Sequence, residues 1–261
     1  MHTNFVLLSV LAGSLATLAF PRRAKTIETS CASAIDVAVP VSLDSFKCMK
    51  NHGYSTAFVR GYAMSEFDTN VINNIRNADL AGLGTEVFMT PQIRSDKKGS
   101  QQFEELYEGL KEDNIKVKTV WLQVTSPIDW NPSSRKNIDF INDITKTAKD
   151  YGVMIGIYTN AYDWSQITKD ATVSGGMLWY WNVDGVGATG ETPANFDDFR
   201  PFGNFMRPTV KQFGQKENIC GVTVNRNVYL FNEPKHFLAS AANAMEGYPS
   251  GYTWQCLAWR S

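Results

Sequence analysis

Residues 119–160, TVWLQVTSPIDWNPSSRKNIDFINDITKTAKDYGVMIGIYTN, set the architecture. They open on Thr119–Thr125, where Val120, Leu122 and Val124 alternate with Trp121, Gln123 and Thr125, the two-residue period of a strand. Ser133–Tyr151 then carries Ile138, Ile141 and Ile144 at helical spacing, and Gly152 supplies the stop. Val153–Asn160 is a second short apolar strand. Strand, helix and strand in succession make a βα unit, and repetition of such units favours a parallel sheet.

The unit recurs on the N-terminal side. Ala34–Val39, Thr56–Ala63 and Gly84–Thr90 read as strands. Between them lie a helix over Ser42–Asn51 ended by Gly53, and one over Asn70–Ala81 capped by Thr69 and stopped by Gly82. A third helix, Gln101–Asn114, starts at Ser100 and has Phe103, Leu106 and Leu110 on one face. On the C-terminal side a short helix around Trp164–Lys169 completes the fifth unit. The rhythm then changes: Met177–Val183, Pro208–Gly214 and Cys220–Asn225 read as strands with no helix between them. Asp184–Asn195 is a Gly-rich loop, and Pro234–Met245 a last helix. Five βα units followed by three strands describe an α/β protein with a single, irregular (β/α) barrel over residues 34–261.

The chain has 261 residues, 43% of them hydrophobic and 20% charged, which suits one large globular domain. Twenty-five basic residues against twenty-six acidic ones provide no field to hold nucleic acid or an anionic surface. Residues 1–19 lack Asp, Glu, Lys and Arg, and Phe5–Phe20 is apolar or small throughout. That pattern reads as a secretory signal cleaved after Ala19, with residues 20–33 as an N-terminal segment of the exported, extracellular protein. Arg22, Arg23 and Lys25 follow the apolar run, so an uncleaved anchor is the alternative. Nothing else resembles a membrane span, and no stable insertion is expected.

Four cysteines without a C-x-x-C spacing fit an oxidising compartment better than a metal site. They allow three pairings. The ends of a closed barrel meet, which favours Cys31–Cys256 and Cys48–Cys220; buried thiols are the alternative for some of them. Three histidines, and no G-x-S-x-G, P-loop or G-x-G-x-x-G, leave little for triad, metal or nucleotide chemistry. No cofactor is expected. Asp197 and Asp198 have cation-binding chemistry, but an exposed loop explains them as well.

In a (β/α) barrel, sites form where strands end, on the side chains that face inward. Alternation turns Asp36, Arg60, Tyr62, Gln123, Thr125, Tyr158 and Asn225 inward, with Trp179 and Trp181 near the same mouth. Trp and Tyr rings among amides suit sugars, which have apolar faces and hydroxyl edges. The plainer reading makes Tyr158, Trp179 and Trp181 core aromatics, and Asp36 an interior group bonded by Arg60.

Eight segments carry a resemblance across Ala34–Tyr229: AIDV (34–37), FVRGY (58–62), VWLQVT (120–125), GIYT (156–159), LWYW (178–181), FDDFRPFG (196–203), KQF (211–213) and CGVTVNRNVY (220–229). In this order they resemble glycoside hydrolase family 25, the lysozyme-type muramidases, and especially its nematode lysozyme-like branch. The resemblance implies a D-x-E pair on the fourth strand, the Glu as general acid and the Asp assisting the reacting sugar. Gln123 and Thr125 occupy those positions, and Asn225 that of a further acid on the eighth strand. Only Asp36 is retained. Asp129, Asp163, Asp184 and Glu191 lie near strand ends as substitutes.

The resulting expectation is a secreted, monomeric lysozyme-like protein that binds bacterial cell-wall or related glycans in defence or digestion, with little muramidase activity. An active glycosidase with relocated acids, and a signalling or interaction protein that uses the barrel surface, are the alternatives.

Overall fold

The computed structural model describes residues 30–173 and 176–231. The proposed signal segment, Cys256 and the helix expected over Pro234–Met245 lie outside the described residues. The elements run β1 (Ser30–Val37), α1 (Leu43–Asn51), β2 (Tyr54–Ala63), β3 (Glu66–Phe67), α2 (Asn70–Leu80), β4 (Gly84–Met89) and α3 (Gly99–Glu112). They continue with β5 (Thr119–Gln123), α4 (Ser134–Asp150), β6 (Met154–Thr159), α5 (Ala161–Thr168), β7 (Met177–Trp181), β8 (Val210–Ile219) and β9 (Val222–Phe231).

The strands are ordered β1-β9-β8-β7-β6-β5-β4-β2, and pairing of β1 with β2 closes them into an eight-stranded barrel; β3 is a short hairpin arm on β2. The barrel is mixed. β9 runs antiparallel to both β8 and β1, where repeated βα units alone had pointed to a parallel sheet. The cause is local: Ile219 pairs with Val222 across a two-residue turn, and both turn residues, Cys220 and Gly221, have positive φ (55° and 78°). This is the backbone of a tight hairpin, which leaves no room for a crossover helix.

Helix boundaries follow their local chemistry. The Ser42 hydroxyl caps α1 by accepting from the N–H of Ser45 at 3.1 Å. At α2 the cap differs from expectation: Thr69 makes no side-chain cap bond, and Asp68 Oδ1 instead accepts from the N–H of Asn70 at 3.1 Å. Gly152 follows α4 at φ 72°, a conformation that costs an L side chain energy.

Two apolar layers result. The larger lies between strands and helices and includes Val59, Val120, Leu122, Ile141, Ile144 and Leu106, all buried. The smaller fills the barrel with Phe58, Phe88, Trp121, Tyr158, Trp179 and Val210. Gly156 is required there, because a Cβ on it would come within 2.4 Å of the Trp121 ring. Cys48 and Cys220 form a disulfide that ties the end of α1 to the β8–β9 turn across 172 residues of sequence. Cys31 is also disulfide-bonded; its expected partner, Cys256, is outside the described residues. Among the described residues, no helix is long and apolar enough to cross a membrane.

Candidate functional site

The C-terminal ends of the parallel strands carry a polar network centred on Asp36, on β1. Its carboxyl group is buried and accepts three side-chain bonds. Gln212 Nε2 and Asn227 Nδ2 donate to Oδ2 at 2.8 and 2.9 Å, and Asn225 Nδ2 donates to Oδ1 at 2.8 Å. Burial raises the Asp36 pKa, and the three amide bonds oppose that rise. All three donors are neutral. Arg60, expected as a partner for Asp36, instead pairs with Asp68 through Nε and Nη2, each at 3.0 Å.

The network continues through aromatic groups. Tyr158 donates to Gln212 Oε1 at 3.0 Å, and Trp179 Nε1 to Asn227 Oδ1 at 2.9 Å. The two rings stack with centroids 4.1 Å apart. Trp179 is fully enclosed and holds the floor of the site, the plainer of its two sequence readings. Tyr62 departs from the expected orientation. A register shift between Arg60 and Tyr62 reverses the alternation of β2, so Tyr62 packs in the helix-facing layer and donates to Glu105 of α3 at 2.8 Å.

At the end of β5, Gln123 and Thr125 bond to each other. Gln123 Oε1 accepts from Thr90 at 2.7 Å, and Gln123 Nε2 donates to Thr125 Oγ1 at 3.0 Å. Neither side chain can ionise near neutral pH. Of the four loop acids, Asp163 alone is built into this end of the barrel. It lies in the first turn of α5, buried, and accepts from Trp181 Nε1 at 3.2 Å and from the backbone N–H of Ser126, next to Thr125. Burial raises its pKa, opposed by those two bonds. Asp129 and Asp184 are exposed, and Glu191 pairs with Arg226 of β9. Asp198 also has a structural partner, the buried Lys211, at 2.8 Å.

Gln212 and Asn227, both fully buried, were not among the sequence candidates. Alternation along β8 from Val210 points to Gln212. Asn227 lay beyond the expected end of the last strand. A further interior acid, Glu86 on β4, accepts from Trp121 Nε1 at 3.1 Å, and burial pushes its pKa up to about 8.

A closed α/β barrel of eight mixed strands is consistent with the fold of the solved family 25 lysozymes. The barrel resembles the solved family 25 lysozyme of Aspergillus fumigatus, with a TM-score of 0.59 at 16% identity over 79% of this chain and 96% of that one. The sequence is 50% identical to lysozyme-like protein 1 of Caenorhabditis elegans over 79% of this chain and 71% of the relative. It is 32% identical to probable GH family 25 lysozyme 2 of Dictyostelium discoideum, over 77% and 92% respectively. Residues 27–213 match the family model described as lysozyme-like protein 1. The chain belongs to the lysozyme-like proteins of glycoside hydrolase family 25 type.

Proposed function

We propose that this chain is a secreted glycan-binding protein that recognises peptidoglycan-type saccharides at the barrel mouth and turns them over slowly or not at all. A role in antibacterial defence or digestion follows from that chemistry. One observation carries the reading: Gln123 and Thr125, which the resemblance sets at the positions of the family's two acids, are neutral side chains joined by a hydrogen bond from Gln123 Nε2 to Thr125 Oγ1. General acid catalysis contributes about 10²- to 10⁴-fold, and neither residue supplies it. Asp36 remains, held by amides as a fixed acceptor. Trp181, half-buried at the mouth, offers a ring to a sugar face. Export is supported by the uncharged apolar run at residues 1–19 and by the disulfides.

Co-sedimentation of the full chain with insoluble peptidoglycan tests the binding. Retention is expected, with weakening by Trp181→Ala; free chain in the supernatant at every loading rejects the reading.

Asp163 supports a second reading, an active glycosidase with a relocated acid, because its buried carboxyl group adjoins Ser126 at the vacated end of β5. That reading requires turnover with a bell-shaped pH profile whose alkaline limb, where a general acid loses its proton, is altered by Asp163→Asn. Turnover unaffected by this substitution removes Asp163 from the chemistry.

A further inference from the structure

The end of α1 and the β8–β9 turn bring together two cysteines and a histidine, none of them part of the Asp36 network. Cys48 and His52 stand four residues apart at the end of α1, so their side chains share one face of the helix. Cys220 arrives from the hairpin turn, with its Cα 6.0 Å from that of Cys48. His52 Nδ1 lies 3.7 Å from the Sγ of Cys48 and 3.7 Å from the Sγ of Cys220. It donates to the backbone carbonyl of Cys48 at 2.8 Å, which fixes the ring beside the disulfide. His52 is exposed and both cysteines are half-buried, so the group is open to solutes.

Both backbone segments are held without the crosslink. Phe46 and Met49 anchor α1 in the core, and Ile219 pairs with Val222 across the turn that carries Cys220. Breaking the bond between the sulfurs therefore leaves two thiols and an imidazole converging on one point. Tetrahedral zinc, with Zn–S bonds of about 2.3 Å and a Zn–N bond of about 2.0 Å, sets S and N about 3.6 Å apart and the two S atoms about 3.8 Å apart. The two S···N spacings match this already. Only the sulfurs have to separate, by rotation of their side chains. Two thiolates would balance the charge of the ion, and a fourth position is left for water.

We propose that Cys48, Cys220 and His52 form a redox-gated zinc site, closed while the disulfide is intact and able to bind the ion once it is reduced. A dithiol reductant supplies two electrons and two protons and leaves as its own disulfide, while Cys48 and Cys220 become thiols. Zinc then displaces both thiol protons, and the His52 ring carries its proton on Nε2 so that Nδ1 ligates. The ion takes over the tie between α1 and the hairpin whose second strand, β9, supplies Asn225 and Asn227 to the Asp36 network. Such a site does not depend on glycan binding.

Zinc titration of the full chain against a chromogenic chelator tests this, before and after reduction by a phosphine that is then removed under argon. The disulfide of Cys31 is reduced as well, so the reference is the reduced double variant Cys48→Ser with Cys220→Ser. The reduced parent is expected to take up one equivalent of zinc more than this variant and one more than the oxidised parent. His52→Ala is expected to weaken that equivalent by about 100-fold, at least the loss seen when a group that only orients a ligand is removed. Circular dichroism and urea midpoints on the same samples follow the fold. Zinc is expected to raise the midpoint of the reduced parent, and to do so far less in reduced His52→Ala. Equal uptake by parent and double variant, equal uptake by oxidised and reduced parent, or an affinity unchanged by His52→Ala overturns the inference. A reduced parent that unfolds and is not restored by zinc overturns it too.

Discussion

Asn225 donates its side-chain N–H to Oδ1 of Asp36 at 2.8 Å, joining residues 189 apart in sequence at the closure of the barrel. On the resemblance, position 225 is one where the family carries a carboxylate. Here an amide of nearly the same size turns a pair of like charges into a hydrogen bond. Asn225→Asp should restore the repulsion: two carboxyl groups at that separation cannot both ionise cheaply. The variant is expected to match the parent's stability near pH 4, where the pair shares a proton, and to fall below it by about 1–3 kcal/mol near pH 7. Urea midpoints at the two pH values read this directly; equal losses at both would point to packing rather than charge.

Glu86 gives the fold a pH dependence of known sign. Its pKa is raised from 4.5 to about 8 by burial, so the folded state keeps a proton that the unfolded chain releases. The stability contributed by this group is complete below pH 4.5 and is lost as pH rises towards 8, at about 1.4 kcal/mol per pH unit before relaxation. Glu86→Gln keeps an acceptor for Trp121 Nε1 and removes the titration. Its stability should change less than the parent's between pH 5 and 7.5, by on the order of 2–3 kcal/mol. Parallel pH profiles for the two proteins would place the charge in contact with water.

The Cys48–Cys220 bond anchors a hairpin turn whose own conformation is costly. Cys220 has φ 55°, and the bond spans 172 residues of sequence. Cys48→Ser with Cys220→Ser is expected to cost about 3–5 kcal/mol, most of it through the freer unfolded chain. Chemical denaturation with the remaining disulfide intact measures the loss; a change under about 1 kcal/mol would show that the unfolded chain is little constrained by this link.

Most of the barrel was legible because apolar period and helix stops agree along residues 34–168. Strand alternation also placed Asp36, Gln123 and Tyr158 inside. It failed at Tyr62, where an irregularity in the β2–β4 register reverses the side-chain direction and no residue pattern announces it. The β8–β9 hairpin was hidden differently. Its turn residues, Cys220-Gly221, lack the usual Asn-Gly signal, and the strands on either side continue through polar residues such as Gln215, Lys216 and Asn227. The amide cage was half visible for that reason: Asn225 fell within the expected strand and Asn227 two residues past its end. Asp163 was visible only as an acid near a strand end, since its burial depends on Trp181 at the end of β7 and Ser126 in the loop after β5.

The neutral pair at the end of β5 is the centre of the functional reading, and turnover tests it most directly. Reducing ends released from purified bacterial cell wall should be counted for the parent chain, for Asp36→Asn and for the double change Gln123→Asp with Thr125→Glu. The expected result is release at or only slightly above the buffer blank for the first two, with a gain in the double variant alone. Robust release by the parent chain that is abolished by Asp36→Asn would contradict a binding protein without muramidase turnover.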